Sequence, residues 1–183
     1  MLSRVASHLY WMSRYLERSE NMARILDVTQ SLAMLDRSAD SGGAMTPIVI
    51  TEAQAEFAAT NLPATYANVI AFLAWDRQHP SSIRNCIEAT RENARAVRGS
   101  ITSEMWENIN DTWIAFQEKQ KNIDPMMTGI EFFEWVKERS HLFRGVTFAT
   151  ARRDQPYHFT RLGTFIERAD NTARILNVKY AEE

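Results

Sequence analysis

Glutamate, arginine and asparagine recur in this chain at helical spacing, twice over. His8–Val28 reads HLYWMSRYLERSENMARILDV, and His158–Val178 reads HFTRLGTFIERADNTARILNV. The second copy follows the first at a constant offset of 150 residues without a gap. His8/His158, Glu17/Glu167, Arg18/Arg168, Asn21/Asn171 and Arg24/Arg174 are identical pairs, and Glu20 corresponds to Asp170. At about 100° per helical residue, Glu17, Glu20, Asn21 and Arg24 share one face, as do Glu167, Asp170, Asn171 and Arg174. Arg18 and Arg168 point about 100° away from that face.

Carboxylates beside guanidinium and carboxamide groups suit several chemistries. The plainest is a structural ion-pair network, since a buried charge is costly unless it is paired. A sharper one is a binding site for a charged ligand or a peptide. An enzymatic variant would use Glu17 and Glu167 as acid and base, with Arg24 and Arg174 holding an anion. A metal site is disfavoured: two-metal carboxylate bundles use Glu-x-x-His, whereas Glu20 and Asp170 stand at i+3 here beside cationic arginines. No cofactor is expected either. Glu20–Arg24 and Asp170–Arg174 are i, i+4 pairs. The repeat predicts that the two helices pack about a local two-fold axis, with Glu17 reaching Arg174 and Glu167 reaching Arg24.

Other reactive residues have weaker contexts. His8 and His158 lie about 180° from Glu17 and Glu167 and read as packing or capping residues. His79 and His141 have no nearby motif. Arg153 and Asp154 before His158 match a ribonuclease-like spacing only by chance, because Pro156 interrupts it. Cys86 sits among Ile83 and Ile87 and reads as core. Arg91-Glu92-Asn93-Ala94-Arg95 echoes the repeat; it is either coincidental or a further contributor to the same polar centre. Trp75, Trp106, Trp113 and Trp135 read as core.

The elements that must position these residues are helices. The periodicity predicts six: Ser3 to Leu35, Ala64 to Trp75, Ile83 to Arg98 behind a serine cap, Thr102 to Lys121, a helix capped by Thr128 and running to Arg152, and His158 to Tyr180. Glu52 to Thr60 is a candidate short helix, and the isolated Ile48-Val49-Ile50 run reads as loop. Leu9, Met12, Leu16 and Ala23 form the apolar face of the first helix, matched in the last by Phe159, Leu162, Ile166 and Ala173. The fold class is all-α, a helical bundle with an internal repeat of its first helix. Residues 1–183 read as one domain, with 1–150 a first unit and 151–183 the start of a second.

Composition narrows the function. The 183 residues are 45% hydrophobic, with a formal net charge of −2. That balance leaves no electrostatic footprint for nucleic acid or an anionic membrane. The single cysteine excludes an internal disulfide, and no apolar run is long enough to span a bilayer. The expected location is the cytoplasm.

Met1–Arg4, Leu9–Asn21, Pro80–Ile83, Arg91–Arg95, Ser103–Asn110 and Phe165–Arg174 together resemble the bacterial alpha-E family, an α-helical domain with a Glu-Arg motif, over nearly the whole chain and in the expected order. The motif maps onto Glu17-Arg18 and Glu167-Arg168. Members are encoded beside ATP-grasp-type peptide ligases and transglutaminase-like peptidases. The resemblance therefore implies a non-enzymatic partner or scaffold in peptide synthesis or modification; the alternative is an enzyme or enzyme subunit working at the Glu-Arg centre. Family members are usually longer, so this chain reads as a short or truncated form. Apolar surface left on its last helix leads us to expect a homo-oligomer or a complementary second chain.

Overall fold

The molecule is organised around α1 (Ser3–Leu35), as its sequence requires. Leu9, Met12, Ala23 and Leu26 are fully enclosed, and Trp11, at the edge of the stripe, is partly exposed. A helix apolar on most sides needs neighbours on most sides. α1 finds them in α4, α5, α7 and α8. The computed structural model describes residues 1–35 and 43–181.

Among these, the chain forms α2 (Thr46–Ile50), α3 (Gln54–Ala59), α4 (Tyr66–Trp75), α5 (Ile83–Ala96), α6 (Ser103–Asn122), α7 (Ile130–Thr150) and α8 (Gln155–Ala181), with single 3-10 turns at Gly43–Met45, Arg98–Ser100 and Pro125–Met127. The described residues are all-α, with eight α-helices rather than six and no strand. Side-chain caps set three of the helix starts. The hydroxyls of Thr65, Ser82 and Thr102 accept from the backbone N–H of Asn68, Asn85 and Met105. Each satisfies a donor that the first turn would otherwise leave free.

Three expectations need correction here. Ile48-Val49-Ile50 is helical, not loop: Pro47 in the first turn presets the backbone of α2, and so short an apolar run does not separate strand from helix. Thr128 does not cap α7. Gly129 stands at that position, while the Thr128 hydroxyl turns inward, accepting from Trp75 Nε1 at 2.7 Å and donating to the Pro125 carbonyl at 2.8 Å. The third concerns α8, whose Leu162, Ile166 and Ala173 are exposed. Their α1 counterparts are buried because α4, α5 and α7 cover them; no described element covers this face of α8.

The core has two parts. One groups Met22, Ala23 and Leu26 with α4 and the aromatic stack of Trp75, Phe116 and Phe132. The other groups Leu9, Met12 and Leu16 with α5, α6 and Phe143. Between them along α1 lie Glu17 and Glu20. No described helix is long and apolar enough to cross a membrane.

Candidate functional site

α1 and α8 run side by side in the same direction and in register. Met1 meets Gln155, Arg14 meets Glu167, and Arg18 meets Glu167. They approach tightly at Gly163, where an added methyl would overlap the Tyr10 carbonyl oxygen and the Ser13 hydroxyl. Ser13 and Gly163 occupy equivalent repeat positions, so small residues on both helices bring the two copies together.

The Glu-Arg pairs meet just beyond this crossing. Glu17 accepts from Arg168 Nε at 2.5 Å and from Arg144 Nη1 at 3.1 Å. Glu167 accepts from Arg18 Nε at 2.7 Å, from Arg18 Nη2 at 3.1 Å and from Arg14 Nε at 2.6 Å. Glu17 with Arg168 and Glu167 with Arg18 are reciprocal contacts, as a local two-fold axis along the helix pair requires. Both carboxylates are 3% exposed.

The expected partners were Arg174 for Glu17 and Arg24 for Glu167, and the structure replaces both. Helices in parallel register bring equal levels together. Seven residues of offset would separate the expected partners by about 10 Å along the axis. Arg18 and Arg168 do leave the helix about 100° from the glutamate face, but their long side chains bridge that angle. The intrahelical pairs are present: Arg24 Nη2 lies 2.7 Å from Glu20, and Arg174 Nε lies 3.2 Å from Asp170. Arg174 also reaches Glu52 at 2.6 Å.

Three participants gave no sign in the repeat. Arg144 of α7 donates to both Glu17 and Glu20. His141, one turn earlier, places Nε2 3.3 Å from Glu20 and 3.1 Å from Arg24. Arg14 has no equivalent in the second copy, where residue 164 is threonine. The available signal was Ser140-x-x-x-Arg144 on one face of α7, with His141 beside it.

Electrostatics follow from this pairing. Burial alone would raise the Glu20 carboxyl, but hydrogen bonds from Arg144, Ser140 and Arg24 and the Arg144 charge outweigh it and hold the group at about 2. Burial pushes the Cys86 thiol up to about 12, despite the opposing charge of Arg18. A thiol so protected is a poor nucleophile. Burial lowers His79, whose ring stacks on Phe72 at 4.7 Å and whose nitrogens have no partner among the described residues. His8 bonds Asn93 at 2.8 Å and ties α1 to α5. His158, read as a packing or capping residue, is exposed and so does not pack as His8 does. Arg91 and Arg95 pair locally, with Asn110 and Glu92, and do not join the centre.

Past the Glu-Arg crossing, α1, α8 and α2 enclose a cavity of about 130 Å³. Asn21, Asn171, Asp170 and Arg174 line it beside Met22 and Ile50. The Asn21 carboxamide nitrogen has no hydrogen-bond partner among the described residues. Among those residues no three His, Cys, Asp or Glu side chains converge. The structure thus divides the sequence-defined stripe. Glu17, Arg18, Glu20, Glu167 and Arg168 form the clamp, of which Arg18 and Glu167 also border the cavity and Arg168 is partly exposed; Asn21, Asp170, Asn171 and Arg174 line the cavity; Arg24 is half-exposed.

Comparison with known proteins fits this anatomy. A family model described as a predicted alpha-helical domain with a conserved ER motif matches residues 1–183. The chain belongs to the alpha-E family. Its two equivalent Glu-Arg pairs are the residues that clasp α1 to α8. Among curated proteins, this alpha-E chain is similar to the uncharacterized protein Rv2567 of Mycobacterium tuberculosis and the uncharacterized protein Mb2597 of Mycobacterium bovis. Each is 27% identical over 135 residues, which is 66% of this chain. The match spans only 14% of the length of either relative. No solved structure matches.

Proposed function

We propose that this alpha-E chain is a non-enzymatic helical partner in a bacterial peptide-synthesis or peptide-modification system, acting with an ATP-grasp-type ligase and a transglutaminase-like peptidase. The observation that carries the reading is the pairing of the three buried glutamates. Glu17, Glu20 and Glu167 each accept from at least two arginines. Carboxylates committed in this way hold helices together, and breaking such a pair is costly. The choice of partners rests on the family resemblance.

Within this reading the clamp is architecture and the adjoining cavity is the recognition surface. Asn21 and Asn171 offer carboxamides of the kind that bond peptide backbone, with Met22 and Ile50 as apolar walls. The enzymatic alternative needs a carboxylate free to exchange a proton with substrate; Glu17 is buried, and Glu167, although it borders the cavity, is paired with Arg14 and Arg18.

A pull-down with the neighbouring ATP-grasp protein tests the proposal. Wild type should retain it, and Asn171→Ala/Arg174→Ala, verified as folded by circular dichroism, should lose it. These positions are better probes than Glu17 or Glu167, whose removal would leave two guanidinium groups without their carboxylate partner. Failure of the wild type to bind would sink the partner reading. Equal binding by wild type and variant would move recognition away from the cavity.

A further inference from the structure

The cavity beyond the Glu-Arg clamp is bordered by four charged residues, Arg18, Glu167, Asp170 and Arg174. Each is already paired. Arg18 lies 2.7 Å from Glu167, Arg174 lies 3.2 Å from Asp170, and Arg174 also reaches Glu52 at 2.6 Å. The lining sets two cations against two anions, with no charge left over. A charged ligand would lose its hydration there without gaining an opposite charge.

The cavity does offer uncharged hydrogen bonding. Asn21 and Asn171, equivalent in the repeat, both border it. The Asn21 side-chain nitrogen is enclosed and has no partner among the described residues. A buried donor in that state costs stability until something accepts from it. An asparagine carboxamide presents a donor and an acceptor side by side. A primary carboxamide matches that edge, because its own N–H and C=O also lie side by side. A trans peptide bond meets only one of the two groups at a time, since its N–H and C=O point in opposite directions. A carboxylate only accepts. Turning the Asn21 carboxamide over exchanges its donor and acceptor, and a primary carboxamide meets either orientation. Size agrees with this chemistry. The cavity measures about 130 Å³, and one of about 150 Å³ holds a benzene molecule. The end of a glutamine or asparagine side chain is within that limit. Met22, Ile25 and Ile50 supply an apolar wall for its methylene stem.

We infer that this cavity binds an uncharged primary carboxamide, the end of a glutamine or asparagine side chain, at Asn21 and Asn171. The inference rests on the reading of the cavity as the recognition surface and names the group that enters it.

Two-dimensional NMR of the isotope-labelled whole chain tests it. Propionamide, which ends like glutamine, should shift the side-chain amide signals of Asn21 and Asn171. The shifts should saturate by about 50 mM, a concentration that fills a site of millimolar affinity. Acetamide, which ends like asparagine, should do the same, and the tighter of the two identifies the side chain. Propionate has the shape of propionamide but carries a charge, and N-methylacetamide is a peptide bond. Both should bind about tenfold more weakly, the loss of roughly one hydrogen bond. Asn171→Asp, verified as folded by circular dichroism, replaces a donor with an acceptor and should weaken propionamide by a similar factor. No saturable shift with propionamide, or equal binding of propionate, would overturn the inference. Tighter binding of N-methylacetamide would overturn it in favour of peptide backbone. The titration contains no ligase, so it is independent of the pull-down. A chain that retains the ATP-grasp protein and ignores propionamide would sink the carboxamide alone; one that binds propionamide without retaining that protein would sink the partner alone.

Discussion

Burial and ion pairing pull the Glu20 carboxyl in opposite directions, and the pairing wins. Its value falls from 4.5 to about 2, so the folded state binds this proton less readily than the unfolded state. The resulting stabilisation is complete above the unfolded value of 4.5 and disappears as pH falls through 2. Its size is on the order of 3 kcal/mol. Urea titrations between pH 6 and pH 2 should therefore show wild type losing stability more steeply than Glu20→Gln. Parallel pH profiles would show that another group controls the acid limb. Arg144 and His141 meet this carboxylate from a helix more than a hundred residues away, which is why the repeat could not reveal them.

The crossing of α1 and α8 depends on a missing side chain. Gly163 lies inside a helix, where glycine is normally about 1 kcal/mol worse than alanine. Its cost is offset by the backbone approach it permits, because the Tyr10 carbonyl occupies the place of a Cβ. A backbone carbonyl cannot swing aside as a flexible side chain can. Gly163→Ala should therefore lower stability by about 1–3 kcal/mol and loosen the Glu-Arg pairs beyond the crossing. Gly145, inside α7 with nothing near the Cβ position, is the control. Alanine there should stabilise by up to about 1 kcal/mol. Urea midpoints for the two variants should move in opposite directions; a rise for Gly163→Ala would refute the close-approach argument.

In the whole molecule, stability should be graded by distance from α1. This helix is covered by four others, whereas α3 is held mainly by Phe57 and the neighbouring Ala53. Hydrogen exchange should find the amides of Leu9 to Leu26 opening only with global unfolding, and those of α3 opening locally and much faster. Uniform protection across both helices would mean that α3 is coupled to the core more tightly than its buried contacts imply.

The helical class, the long first helix and most helix starts were legible in the sequence, because apolar period and capping residues act over a few neighbouring positions. The doubled Glu-Arg stripe was legible too, since identity at a fixed offset needs no structure. The partners of Glu17 and Glu167 were not. A helical wheel gives the direction in which a side chain leaves its own axis, but says nothing of the level at which a second helix docks. Parallel, in-register packing of α1 on α8 chose Arg168 and Arg18 over Arg174 and Arg24. Tertiary structure alone also showed that the clamp borders a cavity, and that the repeated apolar face is covered on α1 and exposed on α8. Two helices that share a repeated motif differ in burial because, among the described residues, the intervening chain wraps only one of them.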